Sequence, residues 1–385
     1  MKVRLGDVCT IVSGSTPKTN VSEYWDGEIK WITPAELSND SFYIFDSSRH
    51  LSEEAMKKTG LKLFPTGTVI LSSRAPIGKT AISGCEMCCN QGFKNLICSD
   101  RIFNEYLYFY LKSKTEFLNS LGRGATFKEI SKGIVEEIEI PLPTYDEQKR
   151  IANELKKVTE LIYLRKLQLI KLEELIKSQF IEMFGDLGTD EKGWGLSRLG
   201  KCCVINPRKS DDSRISNELD VSFVAMPSVS EDGEIDTSII RPYIEVKNGF
   251  TYFAENDVLF FFFFSCMENG KGAIARYLHN KLGFGSTEFH VLRPIPDKVI
   301  PEWIFAITKF PQFRKDAEKQ MTGTGGQKRV PAAFLENYPI SIPPIDQQNQ
   351  FAVFMRQTDK SKFEIGVSLE KLEVLKNALM QESFG

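Results

Sequence analysis

Histidine is scarce in this 385-residue chain, which contains only three, in separate sequence contexts. A catalytic triad built on histidine is therefore unsupported, because the imidazole must stand between a nucleophile and an acid. No apolar run approaches the roughly 20 residues that a membrane-spanning helix needs. The longest run, 258–264, predicts a buried strand, and residues 1–7 lack the apolar region of a signal peptide. We therefore expect a cytoplasmic protein with no membrane partner.

Net charge is also nearly absent, because 49 Lys and Arg residues face 51 Asp and Glu residues, which gives −2. This balance excludes the globally basic surface of a protein that coats nucleic acid. It leaves open DNA binding through a local patch, because phosphate attraction depends on where Lys and Arg lie. A partner subunit could also supply positive charge.

Eight cysteines occur, and in a cytoplasmic chain we expect them to be reduced. Cys85 and Cys88 form a CxxC pair, with Cys98 as a possible further zinc ligand. A structural zinc site needs four ligands, usually two such pairs, and no second CxxC follows. Small core residues are the favoured interpretation over a zinc site, so we predict no metal on this chain.

An internal repeat is the most informative feature, since the chain from Lys128 onward recurs 200 residues later without a gap. Upstream the match is weaker and gapped, as between residues 4–6 and 198–200. The two halves thus share a frame and diverge inside their globular parts. The ungapped matches pair Lys128 with Lys328, Pro143 with Pro343, Asp146 with Asp346, Gln148 with Gln348, 171–175 with 371–375, and 184–185 with 384–385.

Each repeat ends in a pattern typical of a long helix. Residues 144–147 form a capping box directly after Pro141 and Pro143, which block an earlier start. The spacing between successive apolar residues then alternates between four and three, as in a coiled coil. About 38 residues of helix would be roughly 55–60 Å long. The first seam contains Ile151, Leu155, Val158, Ile162, Leu169, Leu172, Ile176 and Met183, and the second contains Phe351, Met355, Thr358, Ile365, Leu369, Leu372 and Leu379.

Chain connectivity then predicts an α+β (mixed α/β) fold with approximate two-fold symmetry. If the second helix packs antiparallel on the first, the two globular domains lie at opposite ends of a two-helix coiled coil. Duplex DNA has local symmetry of the same kind. A helical-hairpin scaffold for some other partner is the alternative. We predict globular domains over 1–143 and 186–343, and spacer helices over 144–185 and 344–385.

Three motifs resemble catalytic signatures and are set aside. Residues 73–80 lack the first glycine of a P-loop and no helix follows, so they predict a strand, a turn and a strand. Asp146, Glu154 and Lys156 have nuclease-like spacing, but all three lie on one predicted helix. Residues 342–345 lack the polar and aromatic ends of the methyltransferase Pro-Pro motif. We therefore predict no catalytic residues.

Features typical of DNA binding are better represented. Arg and Lys suit phosphates and guanine edges, Asn and Gln suit adenine edges, and glycines allow close backbone approach. Any surface loop can hold such residues, so the hypothesis depends on their clustering. The candidates are Thr16, Lys18, Trp31, Arg74, Lys79, Gln91, Lys94, Arg123, Thr126 and Lys128 in the first half, and Asn206, Arg208, Lys271, Thr324, Gln327, Lys328 and Arg329 in the second.

Several strings together resemble one family over nearly the whole chain. The chain is similar to the specificity (S) subunit of type I restriction-modification systems. One departure is the unbroken phenylalanine run 260–264, which indicates either a more deeply buried strand or a different DNA surface. The strings are GSTP at 14–17, YWDGEIKWITP at 24–34, LSSRAPIG at 71–78, NQGFK at 90–94, ATFKEI at 125–130, IPLP at 140–143 leading into DEQ at 146–148, and MENGKG at 267–272.

The resemblance implies a non-catalytic subunit. Each globular half would be a target recognition domain that reads one part of a split sequence in double-stranded DNA, and the helices would set the gap. Two methyltransferase (M) subunits would dock along the helices, and restriction/translocase (R) subunits would join them. S-adenosylmethionine, ATP and magnesium would bind those partners, leaving no cofactor on this chain.

Two other classes of protein stay open on the residues alone. A stand-alone DNA methyltransferase would need the methyl-donor and Pro-Pro-aromatic motifs, which are absent. A protein-interaction scaffold would use the helices without reading DNA sequence.

Overall fold

The computed structural model describes residues 1–123, 128–231, 233–263, 270–323 and 328–385. The chain forms two compact units. Unit 1 comprises Met1–Lys166 and Gly366–Gly385, and unit 2 comprises Leu167–Ile365. Each unit therefore contains a globular part together with a piece of each long helix.

Unit 1 is built on a five-stranded sheet with the order β2-β9-β6-β7-β4, in which β4 joins β7 in parallel and the other pairs are antiparallel. A second sheet has the order β5-β3-β8, and β1 pairs with β10. The strands are β1 (Lys2–Arg4), β2 (Cys9–Ser13), β3 (Trp25–Ile32), β4 (Tyr43–Ile44), β5 (His50–Leu51), β6 (Val69–Ser72), β7 (Thr80–Ser83), β8 (Cys88–Cys89), β9 (Phe93–Cys98) and β10 (Glu139–Pro141).

The core of unit 1 lies around one short helix whose side chains are almost all buried. Tyr106 and Tyr110 of this helix, α3, meet the ring of Phe384 at centroid distances of 5.3 and 5.8 Å. Ile151 and Leu155 join the same apolar cluster. The helices of this part are α1 (Leu5–Val8), α2 (Glu53–Thr59), α3 (Asn104–Ser113), α4 (Thr115–Leu121), α5 (Lys132–Glu136) and the long α6 (Tyr145–Phe184).

Unit 2 repeats the frame of unit 1. Its sheet β12-β19-β16-β17 has the same order as β2-β9-β6-β7, and β11 pairs with β20 as β1 pairs with β10. Its other sheet, β14-β13-β18-β15, differs from that of unit 1. The elements are β11 (Leu196–Arg198), β12 (Cys203–Ile205), β13 (Asp220–Val224), β14 (Ile240–Pro242), α7 (Tyr243–Val246), β15 (Thr251–Ala254), β16 (Val258–Phe261), β17 (Gly272–Ile274), β18 (Leu282–Gly285), β19 (Phe289–Pro294), α8 (Pro301–Lys309), α9 (Pro311–Lys319), α10 (Ala332–Asn337), β20 (Pro339–Ser341) and the long α11 (Ile345–Phe384).

The long helices α6 and α11 have 40 residues each, close to the predicted length, and confirm a mixed α and β fold with a central and a C-terminal helix. The backbone N–H of Glu147 donates to Thr144 Oγ1 over 3.3 Å, which is the hydrogen bond that the threonine side chain of a capping box accepts. Every residue named above in the two apolar seams is buried or half-buried. No helix in the described part of the chain is long and apolar enough to cross a membrane.

The two long helices run antiparallel within each unit. In unit 1, Lys166 Nζ of α6 lies 3.6 Å from Glu373 Oε1 of α11. In unit 2, Lys362 Nζ lies 3.6 Å from Glu173 Oε1. Phe351, near the start of α11, meets Phe184 at the end of α6, with 5.3 Å between ring centroids.

A buried carboxamide ties the start of each long helix to the chain before α3 or α8. Gln148 Oε1 accepts from the Phe103 N–H over 2.8 Å, and its Nε2 donates to the carbonyls of Arg101 and Pro143. Gln348 repeats this pattern with the Ile300 N–H at 2.9 Å and two carbonyls at 2.8 and 2.9 Å. The ungapped repeat thus preserves a structural tie as well as a helix.

Replacing either glutamine tests this tie. Gln148→Leu and Gln348→Leu are each expected to lower the free energy of unfolding by roughly 1–3 kcal/mol, because they leave a buried N–H and two carbonyls without partners. Urea unfolding followed by circular dichroism measures the loss. Gln350→Leu, at an exposed position of α11, is the control and should change stability by less than about 0.5 kcal/mol. Equal urea midpoints for Gln348→Leu and the control would contradict the proposed tie.

Candidate nucleic-acid interface

In unit 1, two tryptophans hold the loop that follows β2. Trp31 Nε1 donates to the Ser15 carbonyl over 3.0 Å, and Trp25 Nε1 donates to the Lys18 carbonyl over 3.3 Å. The Trp31 side chain is buried, and the Arg49 guanidinium covers the ring of Trp25 at 3.4 Å. Trp31 therefore lies beneath the loop, where it positions Ser15 and leaves no ring face open to a base.

The same loop meets the turn before β9. Thr16 Oγ1 donates to Gln91 Oε1 over 2.5 Å, and both residues are exposed. Gly14 allows this approach, because a Cβ there would lie 1.9 Å from the Cys89 carbonyl oxygen. A hydroxyl and a carboxamide, the groups that read base edges, thus stand side by side at the surface.

Glu129 pairs with two of the basic candidates of unit 1. Its carboxylate accepts from Arg74 Nε at 2.9 Å and from Lys94 Nζ at 3.1 Å. Burial alone would raise the pKa of Glu129, but the hydrogen bonds from Lys94 and Arg74 outweigh it and hold that pKa below its ordinary value. Lys94 is buried, whereas the Arg74 side chain keeps 43% of its surface exposed. Arg74 can therefore still face an external anion.

Arg123 and Lys128 lie close to the same backbone pair. The backbones of Arg123 and Glu129 exchange hydrogen bonds of 3.0 and 2.9 Å, and Lys128 directly precedes Glu129. Both basic side chains are exposed. The Ser73 N–H donates to the Gly92 carbonyl over 2.8 Å, which joins the Arg74 turn to the Gln91 turn. Thr16, Arg74, Gln91, Arg123 and Lys128 therefore share one edge of unit 1, which we call the unit 1 rim.

Lys79 does not belong to this rim. It is half-buried, and its Nζ donates to the Leu37 carbonyl over 2.5 Å. The segment between β6 and β7 joins two antiparallel strands, which confirms the predicted strand, turn and strand and excludes the helix that a P-loop needs.

Unit 2 presents a different set of side chains in the corresponding place. Asn206 is locked to β19, since its Oδ1 accepts from the Val291 N–H and its Nδ2 lies 2.9 Å from His290 Nδ1. His290 Nε2 lies 2.8 Å from the Val330 carbonyl oxygen, and burial lowers the pKa of this imidazole. The imidazole ties the β19 edge to the chain that follows Arg329.

Arg329 forms an exposed ion pair in unit 2. Its Nη2 lies 3.0 Å from Glu288 Oε1, and its guanidinium lies 5.9 Å from the ring centroid of Phe262. Two further basic candidates are exposed in unit 2. Lys328 directly precedes Arg329, and Arg208 follows Asn206 by two residues. Lys271 is half-buried, with its ammonium 5.4 Å from the ring centroid of Phe261.

The phenylalanine run is mostly core. Phe260 and Phe261 are buried in clusters on opposite faces of β16, so this strand is covered on both sides. Phe262 is half-buried and packs on His290 with 4.5 Å between ring centroids. Deeper burial of the strand therefore accounts for the departure at 260–262. The candidates Thr126, Thr324 and Gln327, like Phe264, lie outside the described residues.

Two acids that the sequence analysis missed organise these surfaces. Glu129 in unit 1 and Glu288 in unit 2 each pair with an arginine of the candidate set. Residue type alone gives no sign of them, because DNA contacts are made mainly by Lys, Arg, Asn and Gln. The 200-residue repeat held the missing signal, because it aligns Glu129 with Arg329 and so marks an exchange of charge between the halves.

The cysteines converge on no metal site in the described residues. Cys88 and Cys89 are buried, and burial raises the pKa of each thiol to about 12. Cys89 Sγ accepts from Asn95 Nδ2 over 2.9 Å, so its partner is an amide of the core. Among the residues described, no group of three His, Cys, Asp or Glu side chains is placed to hold a metal ion.

The same strand order thus presents different polar side chains in its two copies. The family model described as the Type I restriction modification DNA specificity domain matches residues 1–174 and again 191–375. The chain therefore belongs to the type I restriction-modification DNA specificity family. The two separate matches fall on the two copies of the internal repeat.

Several curated proteins resemble the chain. The specificity subunit of the type I restriction enzyme MjaIX from Methanocaldococcus jannaschii is 40% identical over 215 residues, or 51% of this chain and 50% of that protein. The specificity subunit of the type I restriction enzyme EcoAI from Escherichia coli is 39% identical over 169 residues, which make up 43% of this chain and 28% of that protein. That of MjaVIII from M. jannaschii is 22% identical over 384 residues, or 93% and 85%. The chain thus matches half or less of the length of the first two relatives.

Solved structures share the fold along the full chain. The S subunit of a type I restriction-modification system from M. genitalium has a TM-score of 0.58 at 16% identity, covering 100% of this chain and 96% of that one. A chain from a study of complex assembly and conformational transition in the type I system also has a TM-score of 0.58, at 20% identity, covering 100% and 97%.

The Glu129 cluster generates a pH-dependent prediction. Because the pKa of Glu129 is lower in the folded chain than in the unfolded chain, its ion pairs stabilise the fold fully above its unfolded pKa and are lost as pH falls through the folded value. Glu129→Gln should lower the free energy of unfolding at pH 7 by on the order of 1 kcal/mol, since the carboxyl is partly exposed.

Urea unfolding at several pH values between neutral and acid checks this expectation. The difference between wild type and Glu129→Gln should shrink as the pH falls toward the acid range. Glu160→Gln, at an exposed position of α6, provides the matched control and should show little difference at any pH. A difference that stays constant down to acid pH would rule out the ion pairs as its source.

Proposed function

We propose that this chain is the non-catalytic specificity subunit of a type I restriction-modification complex. Each half reads one part of a bipartite sequence in double-stranded DNA, and the long helices set the gap between the parts. The observation that carries this proposal is the duplicated frame, in which the same strand order supports different polar side chains at the same place. Membership of the DNA specificity family supports it.

The unit 1 rim supplies the chemistry that reading DNA needs. Arg123 and Lys128 are both exposed at the Arg123–Glu129 backbone pair, where they suit phosphate contacts. Thr16 and Gln91 are joined and exposed, which suits hydrogen bonding to base edges. Arg74 is held by Glu129 with its guanidinium partly exposed, so its position is set before DNA arrives.

The corresponding edge of unit 2 has its charges rearranged. An arginine, Arg329, stands where unit 1 has Glu129, and its partner is the acid Glu288. His290, at the position in β19 that Lys94 holds in β9, contributes hydrogen bonds and a ring in place of an ammonium group. Two edges with different donors and charges favour different base sequences, which supports two-part recognition.

Four candidates take a positioning role in this proposal. Trp31 holds the Ser15 carbonyl, Lys94 holds Glu129, and Lys79 holds the Leu37 carbonyl. Asn206 fixes the start of its loop to β19. These residues shape the reading edges from beneath and would affect DNA binding through loop geometry.

The long helices offer the surface for partner subunits. We expect two methyltransferase subunits to dock there, with restriction/translocase subunits joining them, and S-adenosylmethionine, ATP and magnesium to bind those partners. Large apolar side chains on the outer faces of the helices support this, because a solvated helix seldom exposes so many. They are Leu161, Tyr163, Leu164, Leu167, Ile170, Leu175, Phe363, Val374 and Leu375.

Mapping methylated adenines in DNA treated with the reconstituted complex tests the function. We expect one bipartite sequence with a constant gap. The double variant Arg123→Ala/Lys128→Ala should weaken DNA binding and relax only one half of the sequence. It should also reduce the slope of log affinity against log salt by about 1 for each phosphate that is no longer neutralised. Lys328→Ala, the repeat counterpart of the Lys128 change, should affect the other half.

The competing functions give different results in the same experiment. Methyl transfer by the purified chain alone would identify a stand-alone methyltransferase. An absence of sequence-selective DNA binding by the chain with its methyltransferase partner would favour an interaction scaffold. Loss of both halves of the sequence in the Arg123→Ala/Lys128→Ala variant, with folding intact, would contradict the assignment of the unit 1 rim to one half.

Docking along the helices gives a separate prediction. Tyr163→Glu places a charge on an α6 face that is 62% exposed at this residue, so the fold should tolerate it while a partner interface would not. We expect co-purification of the methyltransferase subunit to fall at least about tenfold. Tyr277→Glu, at an 88% exposed tyrosine outside the helices, is the control. Unchanged co-purification of Tyr163→Glu would place the partner elsewhere.

A further inference from the structure

An open apolar groove lies on unit 1 between α4, α5 and β10. It encloses about 820 Å³. Phe117 and Leu121 of α4 line one wall, and Ile134 and Ile138 lie on the opposite side. The ring of Phe117 is 47% exposed, which leaves a large apolar surface in contact with water. We call this the unit 1 groove.

Unit 2 contains the same groove at the same place in the repeat. It lies between α9, α10 and β20 and encloses about 550 Å³. On the α5 and α10 side, the lining positions of the two grooves differ by 200 residues throughout. The pairs are Ser131 and Pro331, Gly133 and Ala333, Ile134 and Phe334, Glu137 and Asn337, Ile138 and Tyr338, and Glu139 and Pro339.

In unit 2, the segment that follows α6 lies along the groove. Leu187 and Gly188 line it, and Leu187 packs half-buried against the apolar core of this unit. Gly188 has φ +79, a conformation that favours glycine directly after the leucine. Asp190 and Trp194 anchor the segment further on, through Ser341 Oγ at 3.1 Å and the ring of Phe184 at 6.2 Å.

In unit 1, no described residue plays the part of Leu187. The groove opens beside the end of α11, because Lys114, which lines it, donates from Nζ to the Phe384 carbonyl over 2.7 Å. Its α4 wall is also more apolar. The backbone pairs Arg123–Glu129 and Thr322–Arg329 align Phe117 with Asp316 and Leu121 with Gln320. Unit 1 therefore exposes apolar side chains where unit 2 has polar ones.

At the β10 end of the unit 1 groove, two glutamates stand where unit 2 has uncharged residues. Glu137 and Glu139 are exposed at the positions of Asn337 and Pro339. Arg4 already pairs with Glu137 at 3.3 Å, which leaves Glu139 as the carboxylate that an incoming cation would meet. A ligand with an apolar side chain beside a basic group would match both the apolar walls of the groove and the carboxylate of Glu139.

We propose that the unit 1 groove binds a short extended segment of a partner polypeptide. The segment carries a leucine followed by glycine, with a basic residue beside the leucine. Its leucine and glycine line the unit 1 groove as Leu187 and Gly188 line the unit 2 groove. This inference is independent of DNA reading, because none of the unit 1 rim residues lines the groove.

A labelled peptide tests the proposal directly. The probe spans residues 185–195 and carries Asp186→Lys, and fluorescence anisotropy measures its binding to the full chain. We expect saturable binding that the peptide substitution Leu187→Asp weakens at least about tenfold, since a buried leucine contributes more than about 1.4 kcal/mol. The unmodified peptide should bind more weakly at low salt, because Asp186 carries the same charge as Glu139 of the groove.

Variants of the chain locate the binding. Phe117→Asp should weaken the probe at least about tenfold, and the fold should tolerate it because unit 2 carries Asp316 at this position. Phe45→Asp, at a 64% exposed phenylalanine that follows β4 and does not line the groove, is the matched control and should leave binding unchanged. Equal affinity of the probe for both variants would overturn the proposal.

A covalent version provides a second measurement. A copy of residues 186–195 appended after Gly385 should raise Tm, and Leu187→Asp within the copy should abolish the gain, because ligand binding to the folded state stabilises it. Absence of both peptide binding and a Tm gain would overturn the proposal. Concentration-dependent self-association that Phe117→Asp abolishes, without peptide binding, would also overturn it, since the occupant would then be a second copy.

Discussion

The two long helices depend on one buried carboxamide in each half. Gln148 and Gln348 accept one backbone hydrogen bond and donate two, and so attach the first turn of α6 and of α11 to the chain before α3 and α8. A helix of 40 residues turns a small error at its start into a large displacement at its end. Fixing the first turn therefore fixes where the rest of the helix can lie within its unit.

The aromatic ends of the helices complete this constraint. Phe384 packs on Tyr106 and Tyr110 within unit 1, and Phe184 packs on Trp303 and Phe351 within unit 2. Each unit therefore contains the start of one long helix and the end of the other. Because these contacts recur in both copies, the frame can remain constant while the polar edges of the two units differ. One such difference is that unit 1 has the acid of its ion pair, Glu129, where unit 2 has the base of its ion pair, Arg329.

Much of the fold could be predicted because its signals are local. The four-three spacing of apolar residues predicted α6 and α11 and identified their buried faces. The turn between β6 and β7 followed from the short segment after Lys79. The candidate interface was harder to predict, since residue type does not say which side of a loop faces solvent. Trp31, Lys79 and Lys94 have the chemistry of DNA contacts, yet each holds another part of the chain.

By itself, the sequence determined the duplication, the two long helices and their apolar seams, because periodicity and repetition survive in a linear string. Only the tertiary structure decided which candidates meet. Thr16 and Gln91 lie 75 residues apart and Arg74 and Glu129 lie 55 apart, and the sheet order alone makes them neighbours. The tertiary structure also decided that Leu187 lines the apolar groove of unit 2, whereas Phe117 and Leu121 line that of unit 1. Contacts between distant residues depend on strand pairing and burial, which no local pattern records.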